Sequence, residues 1–141
     1  MFTIKKSYSV IVPNLDIKKI WQVWADVNNW HLWQDDIDYA KLEGEFISGN
    51  TFKFKPRGVS EITLKLEEVI PYTKFVDLTK FPLARMYGVH EFNQSPQGLE
   101  IKTTIKVCGV LAPIWWFIVA RKIMKDEPKQ NQNLINRAKM I

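Results

Sequence analysis

Hydrophobic and polar residues alternate along the first dozen positions, with Phe2, Ile4, Tyr8, Val10 and Val12 on one parity and Thr3, Lys5, Ser7, Ser9 and Ile11 on the other. A period of two predicts a strand that ends at Pro13, interrupted only by Lys6. After Pro13 the spacing changes to three and four. Ile17, Ile20, Trp21 and Trp24 form the stripe of an amphipathic helix begun near Asn14 or Asp16. A second short helix, capped by Asp26, would bring Trp30 and Trp33 to one side, a turn apart.

From Tyr39 to Val107 the alternation returns. Ala40, Leu42, Gly44 and Phe46 alternate with Lys41, Glu43 and Glu45; Phe52 and Phe54 with Lys53 and Lys55; Ile62, Leu64 and Leu66 with Thr63, Lys65 and Glu67. Each reads as a strand with one wet face. Ser48-Gly49-Asn50, Pro56-Arg57-Gly58, Ile70-Pro71-Tyr72 and Ser95-Pro96-Gln97-Gly98 supply turn residues between successive strands, which implies antiparallel pairing. Phe75 to Thr79 reads as a strand whose inward face stays open, and Arg85 to Asn93 and Leu99 to Val107 add two more. After Gly109, Trp116, Phe117, Ala120, Ile123, Met124, Leu134, Ile135, Ala138 and Ile141 recur near a 3.6-residue period and predict a long terminal helix. Pro128 falls inside it and predicts a kink or break, with Asp126 capping a restart.

Composition narrows the class. A chain of 141 residues with 46% hydrophobic and 25% charged residues is expected to be one globular domain over 1–141, since no repeat or low-complexity stretch divides it. Cys108 is the sole cysteine, so neither an internal disulfide nor a cysteine-paired zinc site is expected, and a cytoplasmic setting fits. Met1 to Val12 lacks the apolar run and small-residue cleavage site of a secretory signal. Val107 to Ala120, the longest apolar stretch, is too short to span a bilayer.

Net charge is +5, and much of the excess lies in the last segment, where Arg121, Lys122, Lys125, Lys129, Arg137 and Lys139 face only Asp126 and Glu127. A solvated helix face accounts for such a run. Anionic membrane or RNA is the alternative it raises, leaving peripheral membrane contact open; nucleic acid is disfavoured because no exposed aromatics interleave with the charges.

The order of elements and several local patterns carry a resemblance. The stretch VPNLDIKKIWQVWADVNNWHLW, from Val12 to Trp33, joins a Val-Pro pair, an Ile-Trp pair, an Asp and two further tryptophans. Phe46 to Gly58 with Gly49 and Pro56, Met86 to His90, and Gly109-Val110-Leu111 form three more blocks. Together these resemble the polyketide cyclase/dehydrase and lipid-transport superfamily (SRPBCC), which includes StAR-related lipid-transfer and birch-pollen-allergen-like proteins. The resemblance implies an α+β helix-grip fold: a curved seven-stranded antiparallel sheet around a long C-terminal helix, with two short helices after the first strand. It also implies an apolar cavity between sheet and helix for a hydrophobic small molecule or lipid. An empty void of ~300 Å³, small for a ligand site, would cost roughly 7 kcal/mol at about 24 cal/mol per Å³. Side chains, water or ligand must fill it.

Eighteen aromatic residues supply candidate walls. Trp30, Trp33, Phe46, Phe52, Phe54, Trp116 and Phe117 are expected to point inward, as plain core or as pocket lining. His90 shares parity with Met86, Gly88 and Phe92 and should face in, while Arg85, Tyr87 and Glu91 face out. An imidazole there could be a satisfied core group, a hydrogen-bond partner for a ligand carbonyl or hydroxyl, or an acid/base. The expected ligand-binding set is Trp30, Trp33, Phe54, Met86, His90, Thr103, Trp116 and Phe117, with Tyr87 or Arg57 at the rim and His90 catalytic if the protein is an enzyme.

No cofactor is expected. Two histidines without metal-ligand spacing argue against a metal site, Asp35, Asp36 and Asp38 read as a solvated loop, and no nucleophile elbow or phosphate-binding loop is present. The leading expectation is a carrier of a hydrophobic small molecule or lipid. The alternative is a cyclase or dehydratase.

Overall fold

The computed structural model describes Met1–Ile141. Seven strands form one sheet: β1 (Phe2–Val12), β2 (Ile37–Lys41), β3 (Thr51–Pro56), β4 (Ile62–Ile70), β5 (Lys74–Phe81), β6 (Ala84–Ser95) and β7 (Gly98–Gly109). Their order is β1-β7-β6-β5-β4-β3-β2, with antiparallel neighbours throughout. Successive hairpins build β2 to β7, and β1 closes the far edge by pairing with β7. Helix α1 (Ile17–Ala25) and a 3₁₀ helix (Val27–Leu32) carry the chain from one edge strand to the other.

Local chemistry accounts for most boundaries. The Asp16 carboxylate accepts from the Lys18 N–H at 2.9 Å and starts α1, whose Ile20, Trp21, Val23 and Trp24 are buried. Asp26 precedes the 3₁₀ helix, but its carboxylate accepts from the Asn29 side chain at 2.8 Å rather than capping a backbone N–H. Lys6 does not disturb β1, which keeps an unbroken register against β7. A charge on an edge strand instead discourages pairing with another sheet.

The strand expected to run through Phe46 stops at Lys41. Its next residue, Leu42, has both backbone groups taken by the Asn28 side-chain amide, at 3.0 and 3.2 Å, and Gly44 turns the chain away at φ 90°. Phe46 therefore reaches the core from a loop, with its ring 5.8 Å from that of Trp21 and 5.2 Å from that of Phe75.

The C-terminal segment also departs from expectation. It comprises α2 (Ala112–Trp115), a wide π-helical turn (Trp116–Ala120) and α3 (Arg121–Lys139). The helix continues through Pro128, with neither a break nor a restart at Asp126. Pro128 lies on the exposed face, where its ring does not compete with core packing. The irregularity sits earlier instead, where the Arg121 N–H donates to the Trp116 carbonyl five residues back. That wider turn rotates Phe117 out of the buried stripe that runs from Ala120 through Met124 and Leu134 to Ala138.

The helix grips two apolar clusters. The larger gathers Trp21, Trp24, Trp30, Trp33, Phe52 and Phe75 under α1 and meets α3 at Leu134, Ile135 and Ala138. The smaller joins Met86, Ile105 and Val107 of the sheet to Ala112, Ala120 and Met124.

Candidate functional site

Between the two clusters runs a seam of polar side chains. In the register of β5, β6 and β7, Phe75, His90 and Thr103 stand in one row across the inner face. Asp77 is two residues along β5, on the same face. His90 Nε2 lies 3.4 Å from Asp77 Oδ2 and its Nδ1 lies 3.5 Å from Thr103 Oγ1. With Nε2–H donating to the carboxylate, the bond at Nδ1 runs from the threonine hydroxyl when the imidazole is neutral and from Nδ1–H when it is cationic, which frees the hydroxyl proton for Glu127. The imidazole stacks on Phe75 at 4.4 Å and 13°, and its centroid is 4.7 Å from that of Trp24. The ring is thus held on its faces and at both nitrogens.

The helix contributes the other half. Glu127 and Asn131, one turn apart, are 5% and 3% exposed, and Asn131 Nδ2 donates to Glu127 Oε1 at 3.3 Å. Burial holds the Glu127 carboxyl above the usual carboxylate range; His90 and the Thr103 hydroxyl act against that, while Asp77 and Asp36 add to it. The seam therefore favours a proton on Glu127. One donor in the region has no acceptor: Trp24 Nε1 is the only buried side-chain nitrogen or oxygen left unpaired. Trp30, by contrast, donates from Nε1 to the Trp24 carbonyl at 2.9 Å. The Asp77 and His90 side chains retain 16% and 11% exposure, so their neighbours do not seal them completely.

The expected residues divide among the seam, the two apolar clusters and the surface. His90 and Thr103 meet in the seam. Trp30 and Trp33 pack on Trp24 at 5.4 and 5.0 Å, and Phe54 is half-buried, 6.4 Å from Trp30. Met86 and half-buried Trp116 belong to the smaller cluster on the other side. Phe117 does not point inward: it is 65% exposed and lies under the Arg121 guanidinium at 4.6 Å, because the π turn carries it off the buried stripe. Tyr87 lies on the outer face with Lys106 over its ring, and Arg57 is exposed beside Asp38, so neither borders the seam. Of the acidic loop, Asp38 pairs with Lys55 at 2.6 Å and Asp35 with Lys129 at 3.4 Å, tying the loop to β3 and α3.

Sequence reasoning passed over Asp77, Glu127, Asn131 and Trp24 as seam residues. Glu127 and Asn131 had a legible signal. They fall in phase with Ala120, Met124, Leu134 and Ala138, filling the gap in the apolar stripe with polar groups.

Two clefts open elsewhere on the surface. One of ≈ 480 Å³ lies between Pro13–Asp16 and Gln94–Gly98, and one of ≈ 420 Å³ follows β2 from Asp38 to Glu43 with Asn28 and His31. Both lie outside the grip.

No protein-family model matches the chain, and no curated protein matches it. Solved structures do. Ara h 8.0201 superposes with a TM-score of 0.78 at 11% identity, over 99% of this chain and 100% of that one. A hypothetical protein from Helicobacter pylori gives 0.76 at 16% identity, over 96% and 88%. The di-domain ARO/CYC protein StfQ from the steffimycin biosynthetic pathway gives 0.76 at 12%, over 98% of this chain and 51% of that one. At these identities the likeness is one of fold: a curved seven-stranded antiparallel sheet around a long C-terminal helix, the helix-grip fold.

Proposed function

We propose that this chain binds a hydrophobic small molecule bearing a carbonyl or hydroxyl group, with its apolar body against the aromatic cluster and its polar end in the seam. The observation that carries this reading is the unpaired Nε1 of Trp24, whose ring lies 4.7 Å from the imidazole in a network of Asp77, His90, Thr103, Glu127 and Asn131. A buried donor without an acceptor costs about 1–3 kcal/mol. A ligand oxygen would recover that cost. The shared fold with Ara h 8.0201 and StfQ is compatible with such a ligand between sheet and helix.

A second reading follows from the same residues. His90, held between Asp77 and Thr103, sits close to a carboxyl biased toward its protonated form, an arrangement that suits proton transfer to and from a bound carbonyl compound. The ARO/CYC neighbour is consistent with cyclisation or dehydration as that chemistry. His90 would then be the acid/base.

Native mass spectrometry of the purified protein, followed by organic extraction, tests binding directly. The expected result is an added mass that extracts as a hydrophobic oxygen-bearing compound, with saturable rebinding seen by tryptophan quenching. No added mass, together with no saturable quenching by a panel of hydrophobic ketones and alcohols, would reject the binding reading. Turnover unchanged in His90→Ala would remove the catalytic one.

A further inference from the structure

The end of the molecule where the grip begins presents an apolar surface to solvent. Leu83 at the β5–β6 turn is 66% exposed, and Val110, Ile114, Phe117 and Ile118 are 57%, 51%, 65% and 58% exposed. These residues belong to one surface. The Leu111 N–H donates to the Leu83 carbonyl at 3.1 Å, and Trp115 donates from Nε1 to the Pro82 carbonyl at 2.9 Å while stacking on Phe81 at 4.5 Å. Gly109, at φ 132°, lets β7 pass against Leu83, since a Cβ there would collide with the Leu83 carbonyl. Backbone and aromatic contacts therefore lock the Leu83 turn to the start of the helix. The π turn then directs Phe117 and Ile118 outward beside Ile114.

Charge identifies what this surface fits. Lys80 and Arg85 face each other at the base of the Leu83 turn, and Arg121, Lys122 and Lys125 follow Ile118 along the helix. No acidic residue occurs between Asp77 and Glu91 or between Glu100 and Asp126, the two segments that build this end. None of the five cations is in an ion pair. Exposed aliphatic and aromatic side chains ringed by unpaired cations match the boundary of an anionic bilayer, where apolar groups enter the acyl region and lysine and arginine stay at the headgroups. A protein partner with an acidic rim would meet the charges but would not require so many separate apolar tips.

We propose that this end of the protein docks on anionic lipid bilayers, with Leu83, Val110, Ile114, Phe117 and Ile118 inserted and Lys80, Arg85, Arg121, Lys122 and Lys125 on the headgroups. The inference stands apart from the seam and holds whether or not the seam carries cargo.

Flotation with phosphatidylcholine vesicles, with and without phosphatidylglycerol, tests it on the full chain. The expected result is co-flotation with the phosphatidylglycerol vesicles that weakens with added salt. Replacing Arg121, Lys122 and Lys125 together by glutamine should lower partitioning roughly 100-fold. Phe117→Asp with Ile118→Asp should lower it at least about tenfold. Lys18→Gln with Lys19→Gln, on α1, should leave it unchanged. All these positions are exposed, so an unaltered thermal melt separates lost docking from lost folding. No flotation with phosphatidylglycerol vesicles at low salt, or flotation insensitive to the Phe117 and Ile118 changes, would overturn the proposal.

Discussion

Asp77 and Gly88 face each other across β5 and β6, and the carboxylate occupies the space that a side chain at 88 would need: a Cβ there would lie 2.8 Å from Asp77 Oδ1. The glycine is thus the reason the carboxylate can turn toward His90. Because the colliding atoms are the far end of a movable side chain, Gly88→Ala is expected to cost about 1 kcal/mol, the low end for an added group. It should nonetheless displace Asp77 from the imidazole. His90 ring resonances followed by NMR should shift in Gly88→Ala much as they do in Asp77→Asn, and unchanged resonances would contradict this placement.

Glu127 makes stability depend on pH in a direction opposite to that of a salt-bridged carboxylate. Its folded pKa is raised by burial, so between the unfolded value near 4.5 and the folded value the native state holds more protons than the unfolded one. Stability is therefore fullest below that window and falls as pH rises through it, with a limiting slope of about 1.4 kcal/mol per pH unit. Urea denaturation across this range should show the fall in the native sequence and a flatter profile in Glu127→Gln. An equally steep profile in the variant would remove Glu127 as its source.

Trp24 and Trp30 separate ligand binding from packing. Both indoles are buried in the same cluster, but Trp30 Nε1 is satisfied by the Trp24 carbonyl and Trp24 Nε1 is not. Trp24→Phe should weaken binding of an oxygen-bearing hydrophobic ligand roughly tenfold, since the bond it would make is lost. Trp30→Phe should mainly lower the denaturation midpoint. Equal losses of affinity in both variants, measured by calorimetry, would argue that Trp24 contributes only shape.

Pro128 lies inside a helix that continues on both sides of it, on the face that packs against nothing. Its missing N–H leaves the Met124 carbonyl without its helical donor, which costs up to about 3 kcal/mol relative to alanine. Proline also stiffens the unfolded chain, an opposing effect of under about 1 kcal/mol. Pro128→Ala is expected to raise stability by about 1–2 kcal/mol in denaturant titrations. A destabilised variant would mean that the proline sets a bend the grip requires.

Much of this architecture is legible in the linear chain because it depends on neighbours in sequence. Two-residue alternation from Phe2 to Val12 and from Leu99 to Val107, turn residues between strands, and the Asp16 cap each act within a few positions. His90 and Thr103 were readable as inward-facing for the same reason: parity along a strand assigns the face. What parity does not contain is the identity of the opposing element. Leu42 leaves the sheet because Asn28, fourteen residues earlier, takes its backbone bonds, and Phe117 leaves the buried stripe because one helical turn widens. Glu127 and Asn131 look like ordinary polar helix residues until the sheet places Asp77, His90 and Thr103 near them. Local periodicity settles which residues share a side, but burial and pairing are properties of surfaces brought together by the whole chain, and these alone turned scattered polar positions into a seam.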